Sequence, residues 1–187
     1  MQATITRWQA DHVNFRRLLD LLEREIQRLN GGDTPRYELL VDIVYYLTHY
    51  PDCYHHPAED TLFEALCAAR PELCGDIAKL HHQHRVIAAN GQRLLELLES
   101  IIAGGILSRE ALLEPAALYL DGYRKHMAHE EAELFPLALR HHAALDAAGV
   151  PQPSAVSDPL FGQATAERYR ELHRQIAEYA ACGCPTT

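Results

Sequence analysis

Apolar residues recur at alternating steps of three and four along four stretches of this chain, and each stretch is interrupted once by a histidine where a leucine would be expected. In the first, Ile5, Trp8, Phe15, Leu19, Leu22, Ile26 and Leu29 carry the pattern and His12 stands inside it. The second runs through Leu40, Val44, Leu47, Leu62 and Leu66, interrupted by His55 and Glu59. The third has Leu73, Ile77, Leu80, Ile87, Gly91, Leu94, Leu98 and Ile101, with His84 among them. The fourth has Leu112, Ala116, Tyr119, Tyr123 and Leu137, with His126 and Glu130 inside it. This spacing is the seam of a helix packed at a small angle against its neighbours. Leu and Ala dominate the apolar residues and β-branched residues are sparse, so the expected class is all-α.

Turn residues separate the seams. Asn30-Gly31-Gly32-Asp33-Thr34-Pro35 closes the first helix and opens the second, Arg70-Pro71 breaks the second from the third, and Gly104-Gly105 ends the third. Ser108 can start the fourth. Short connections between long helices predict an up-down-up-down four-helix bundle over residues 1–146. A linker at 147–157 then leads to an additional C-terminal helix and tail at 158–187, with Asp158 as N-cap and Pro159 at the first helical position. The face formed by Thr165, Tyr169, Leu172, Ile176 and Tyr179 can pack on the bundle or make a homodimer. Pro51 and Pro57 fall inside the second helix and predict a kink or a local break between Tyr50 and His56.

The four histidines share one height. His12 lies about 18 residues before the end of its helix and His55 about 20 after the start of the next, a mismatch of about 3 Å at roughly 1.5 Å per residue. The same count across the other two turns places His84 and His126 at that level. Glu59 and Glu130 follow His55 and His126 by four residues and project from the same faces. Two unpaired carboxylates in a core are costly, and no cation in the seams offsets them. A divalent metal does. Donors of nitrogen and oxygen without thiolate suit iron or manganese, while zinc or nickel can occupy such a set in vitro.

Net charge of −9, with no basic stripe, argues against nucleic acid as a partner. The N-terminus has no leader pattern and no apolar run approaches a membrane span, so a cytoplasmic location and no membrane partner are expected. Five cysteines at irregular spacing suggest free thiols in a reducing compartment rather than a disulfide framework. Cys182 and Cys184 read as two thiols of a solvated tail, too few to close a metal site.

The run His-His-Pro-Ala-Glu-Asp at 55–60 and the run His-Met-Ala-His-Glu-Glu-Ala-Glu-Leu-Phe-Pro at 126–136 resemble the two motifs of the hemerythrin-like, or HHE cation-binding, family. Asp11-His12 and Gln83-His84-Arg85 resemble its single-histidine helices. The resemblance covers about residues 4 to 142 and implies a centre of two iron ions, bridged by two carboxylates and an oxo or hydroxo group. It maps His12, His55, Glu59, His84, His126 and Glu130 onto the ligand positions. Oxygen-carrying members have a further histidine four residues before the one at position 84, where this chain has Leu80. The resemblance therefore implies a centre with fewer nitrogen ligands and more open coordination, unless His81 joins it.

His56 and His129, each followed four residues later by a carboxylate, read as outer or surface pairs, because one register per helix faces the centre. His81, His82, His141, His142 and His173 read as surface residues, and His49 as a neighbour of the cavity. Trp8, Tyr119 and Tyr123 read first as core, with a hydrogen bond from a tyrosine to a ligand as the sharper alternative. The expected function is binding or sensing of O2 or NO, or iron handling under oxidative or nitrosative stress. A di-iron peroxidase, oxidase or NO-reducing enzyme is the alternative, and a metal-stabilised interaction module the third.

Overall fold

The computed structural model describes residues 1–147 and 156–182. It is all-helical, with no strand among the described residues. Helix α1 spans Gln2–Gly31, α2 Tyr37–Tyr50, α3 His56–Ala69, α4 Cys74–Ile102 and α5 Arg109–His129. The shorter α6 (Phe135–Arg140) and α7 (His142–Ala147) follow, and α8 covers Arg170–Cys182. None of the described helices is long and apolar enough to cross a membrane.

The turn residues act as their chemistry dictates. Gly32 takes a left-handed φ of 97° and turns its N–H back to the carbonyls of Arg28 and Leu29, closing α1. Ser108 caps α5 by accepting the Ala111 N–H at 3.2 Å. Between α1 and α2, the buried Glu25 carboxylate accepts bonds from the Arg36 backbone N–H and from its guanidinium, at 2.8–3.1 Å. Those bonds hold Glu25 below the usual carboxylate range although burial opposes it.

Helix α4 packs on α2, α3 and α5, and α1 packs on α5 and α2. The α4 seam comes close to its neighbours at Gly91, where a Cβ would stand 2.7 Å from Thr48 Cγ2 and 2.9 Å from Tyr119 Cε2. The buried apolar residues form two clusters. One contains Phe15, Leu19, Leu22, Val44, Leu47, Ile87, Leu94 and Tyr123; the other contains Ile5, Trp8, Leu62, Leu66, Ile77, Leu80, Leu134 and Phe135. The candidate ligands lie in sequence between members of the two, so a polar layer crosses the molecule with apolar packing on both sides.

The expected break near Pro51 takes the form of a single π turn, Pro51–His55, joining α2 to α3 without interruption. The His56 N–H reaches five residues back to the Pro51 carbonyl. A second π turn, Glu130–Leu134, joins α5 to α6, with the Phe135 N–H on the Glu130 carbonyl. In each case the closing donor immediately precedes a proline, Pro57 or Pro136. A proline ring crowds the carbonyl four residues back, and widening the turn relieves that contact. The second π turn also corrects the seam: Phe135 and Ala138 are buried beyond Glu130, whereas Leu137 is only partly so.

Two further expectations change. Asp158 does cap, but it caps a turn: its Oδ1 accepts the N–H groups of Leu160 and Phe161, and Gly162 follows where a Cβ would meet the Asp158 carbonyl at 2.3 Å. The last helix starts only at Arg170. The other Asp158 oxygen accepts the Tyr46 hydroxyl at 2.7 Å, and Leu160, Tyr169 and Leu172 join the core beside α1 and α2. Cys67 and Cys74 are disulfide-bonded, not free thiols, with Cα atoms 4.8 Å apart. The Arg70-Pro71 corner reverses the chain between them, which linear spacing does not reveal, and the thiol-based case for a reducing compartment falls. Residues 148–155 of the expected linker, and Cys184 of the tail, lie outside the described residues.

Candidate metal centre

All six residues expected at the centre are buried and brought together: His12, His55, Glu59, His84, His126 and Glu130. His55 Nε2 lies 3.1 Å from Glu59 Oε1 and 3.2 Å from His12 Nε2. Glu130 Oε2 is 3.3 Å from His12 Nε2 and 3.2 Å from His126 Nε2, and its Oε1 is 3.5 Å from His84 Nε2. His84 Nε2 is also 3.7 Å from Glu59 Oε2. Each of these rings turns Nε2 inward.

The outward nitrogens are held by polar side chains. Glu131 holds His12 Nδ1 at 2.9 Å, Asp11 holds His55 at 3.1 Å and Asp60 holds His84 at 2.8 Å. Gln83 reaches His126 at 3.4 Å. An imidazole whose outer N–H is held by a carboxylate or amide has its tautomer and ring orientation fixed for a metal on the other side. Glu131 is itself held by Arg16.

His56 corrects the sequence reading. It is buried, its ring stacks on His84 with centroids 4.4 Å apart, and its Nδ1 lies 3.0 Å from Asp52. Asp60, the expected partner of His56, serves His84 instead. The π turn is the physical reason. Its extra residue lets successive side chains, His55 and His56, both face inward, which a regular helix forbids. The donor atoms fall into two groups, each within 4.8 Å: His56, Glu59, His84 and His126, and His12, His55 and Glu59. Glu59 belongs to both.

His81 does not face the centre; it is partly exposed, with Nε2 3.3 Å from Asp60. His129 contacts Gln83 and Glu133, and His49 stacks on Tyr45 with its Nδ1 2.7 Å from the Tyr45 carbonyl oxygen. Leu80 is buried in the apolar cluster beside the site. Trp8 meets the His55 ring edge-on, and the Tyr119 and Tyr123 hydroxyls reach no hydrogen-bond partner, so the bond from a tyrosine to a ligand is not made. Sequence reasoning missed Asp11, Asp60, Gln83 and Glu131 as holders of the rings. Acidic residues beside histidines in sequence were visible, but the pairs that form mostly cross between helices.

Electrostatics shows what the layer lacks. Both oxygens of Glu59 and of Glu130 are buried without a hydrogen-bond donor, as are the inward nitrogens of His84 and His126. Burial lowers the tendency of His55 to hold a proton, but Glu59 and Asp11 overcome this and raise it to about 10. Burial likewise opposes the charge on His84, and Asp60 with Glu130 raises it to about 9. His126 is pushed down to about 3, chiefly by burial. Burial and the neighbouring Glu130 raise Glu59, while Glu130 is held low by His126, His12 and His84 against its own burial. No Lys or Arg is buried among the described residues, so the layer draws its positive charge from protons on the histidines, and these are shared unevenly. Buried carboxylate oxygens without donors, facing lone pairs of ordered imidazoles, fit a divalent cation.

The family model of the hemerythrin HHE cation-binding domain matches residues 3–138. The chain belongs to this family. The match begins in the first turn of α1 and ends in α6, so it takes in every donor described above. No curated protein and no solved structure matches the chain. Membership in this family implies metal binding, and the buried histidine and glutamate cluster fits a metal site.

Proposed function

We propose that this HHE domain is an up-down-up-down four-helix bundle with an additional C-terminal helix, holding two iron ions for the binding or sensing of O2 or NO. The observation that carries the two-ion reading is the pair of donor groups sharing Glu59. Glu130 supports it, because its two oxygens approach rings of both groups. On this reading His12 and His55 serve one ion, and His56, His84 and His126 the other, with both carboxylates between them. His56 supplies the fifth nitrogen that Leu80 cannot, so the centre is not short of nitrogen. The His12 and His55 side has fewer donors and is where water or a diatomic would be accepted.

Iron, once bound, supplies reversible coordination of small ligands or electron exchange with an oxidant. The chain's own residues do the rest. The two apolar clusters limit water around the layer, Asp11, Asp60, Gln83 and Glu131 fix the ring orientations, and Glu59 and Glu130 supply the negative charge that retains the cations. An oxo or hydroxo bridge between the ions belongs to the same proposal.

Anaerobic loading with ferrous iron followed by elemental analysis and optical spectra tests the reading. Two iron ions per chain are expected, with a new visible band on adding azide, O2 or NO. Loss of metal is expected in Glu59→Ala with Glu130→Ala, and also in His56→Ala, but not in His142→Ala. An iron content near zero, or one unchanged in the glutamate double variant, would refute the site. A loaded centre that ignores all three small ligands would leave a structural metal, the interaction-module reading. Steady consumption of peroxide or NO, in place of reversible binding, would favour the enzyme reading.

A further inference from the structure

A cleft of about 170 Å³ opens between α3 and α4, bordered by Asp52, His56, Asp60, His84, Arg85 and Ala88. Its inner wall is the outer face of two rings of the candidate centre. We propose that this cleft is the port through which a divalent cation reaches the centre, with the Asp60 carboxylate as the donor on which it first lands. The inference rests on the two-ion reading above.

Asp60 stands at the mouth, one third exposed, and one of its oxygens lies 2.8 Å from His84 Nδ1 and 3.3 Å from the buried His81 Nε2. Behind them, Asp52 is 3.0 Å from His56, and the buried His84 Nε2, without a hydrogen-bond partner, points on towards Glu59 and Glu130. Carboxylate and imidazole donors therefore follow one another from surface to centre, so an ion can exchange hydration waters for protein donors stepwise. The volume admits several water molecules. The hollow on the opposite flank, beside His55, is about 20 Å³ and is lined by Arg7, Trp8, Asp11, Tyr50 and Tyr54, which gives room for only about one water.

The experiment mixes metal-free full-length protein with cobalt(II) chloride in a stopped-flow instrument and follows the visible cobalt bands, with the final stoichiometry read by elemental analysis. Ala88→Phe, which fills the cleft, should slow uptake about fivefold or more while two ions still bind at the end. Arg85→Glu changes only an exposed side chain, and it should speed uptake at low salt and lose that advantage at high salt. Normal stoichiometry with an unchanged low-salt rate in Arg85→Glu would overturn the port alone, even if Ala88→Phe failed to fold. A wild-type chain that does not take up two ions would overturn the reading on which the port rests.

Discussion

Loading the centre with metal at pH 7 should expel about two protons per chain, because His55 and His84 hold theirs up to about 10 and 9 in the metal-free layer. A metal ligand must present a lone pair, so each charged ring that becomes a ligand must first release its proton. The sign follows directly. Below about pH 9 both rings are charged, and the combined metal affinity should rise about a hundredfold per pH unit, tenfold for each proton displaced. Above about pH 10 the dependence should flatten. The metal-free fold has the opposite dependence. Histidines raised above their ordinary 6.5 stabilise it fully below that pH, and the contribution is lost as pH rises through 9 and 10. Calorimetry of metal binding in buffers of different ionisation enthalpy measures the proton count, and a pH series of competition titrations measures the slope. A count near zero at pH 7, or affinity independent of pH between 6 and 8, would refute the charge state argued for the layer.

Two other outcomes are expected away from the centre. Glu25→Gln removes the carboxylate that ties Arg36 to α1 and should cost about 1.5–3 kcal/mol in urea denaturation; since the Glu25 carboxyl is held low, its contribution is present at neutral pH and fades as pH falls through the folded value. Reducing the Cys67–Cys74 bond, which closes a loop with a sequence separation of 7, should cost about 2.4 kcal/mol on the loop-entropy estimate, with no effect of reductant in Cys67→Ser.

The shared height of His12, His55, His84 and His126 was readable because each helix rises by a fixed amount per residue and the turns between them are short. The faces of α1 and of most of α4 were readable for the same reason. His56 was not, since regular helical periodicity assigns neighbouring residues to different faces, and only the π turn brings both inward. The prolines were the visible trace of that turn: Pro51 and Pro57 marked a disturbance without giving its form, and Pro136 had the same relation to the second turn. The Cys67–Cys74 bond depends on the direction of a corner, and the start of α8 on a tight turn at Gly162. Neither leaves a periodic trace in the chain.

The two π turns also account for how a soluble helical core tolerates this much buried charge. A regular helix would offer the centre one residue per turn and would place the remaining polar side chains in the apolar clusters above and below. By widening at Pro51–His55, the chain collects His55, His56 and Glu59 within one level, and by widening at Glu130–Leu134 it returns Leu134 and Phe135 to the apolar cluster directly after Glu130. Polar groups are thereby confined to a thin layer, where they meet one another and not isolated leucines. The packing on either side, from Phe15 and Tyr123 to Trp8 and Phe135, then fixes the layer by contacts that do not depend on the metal. Apolar contacts on both sides of the layer thereby set the level at which the histidine and glutamate side chains meet.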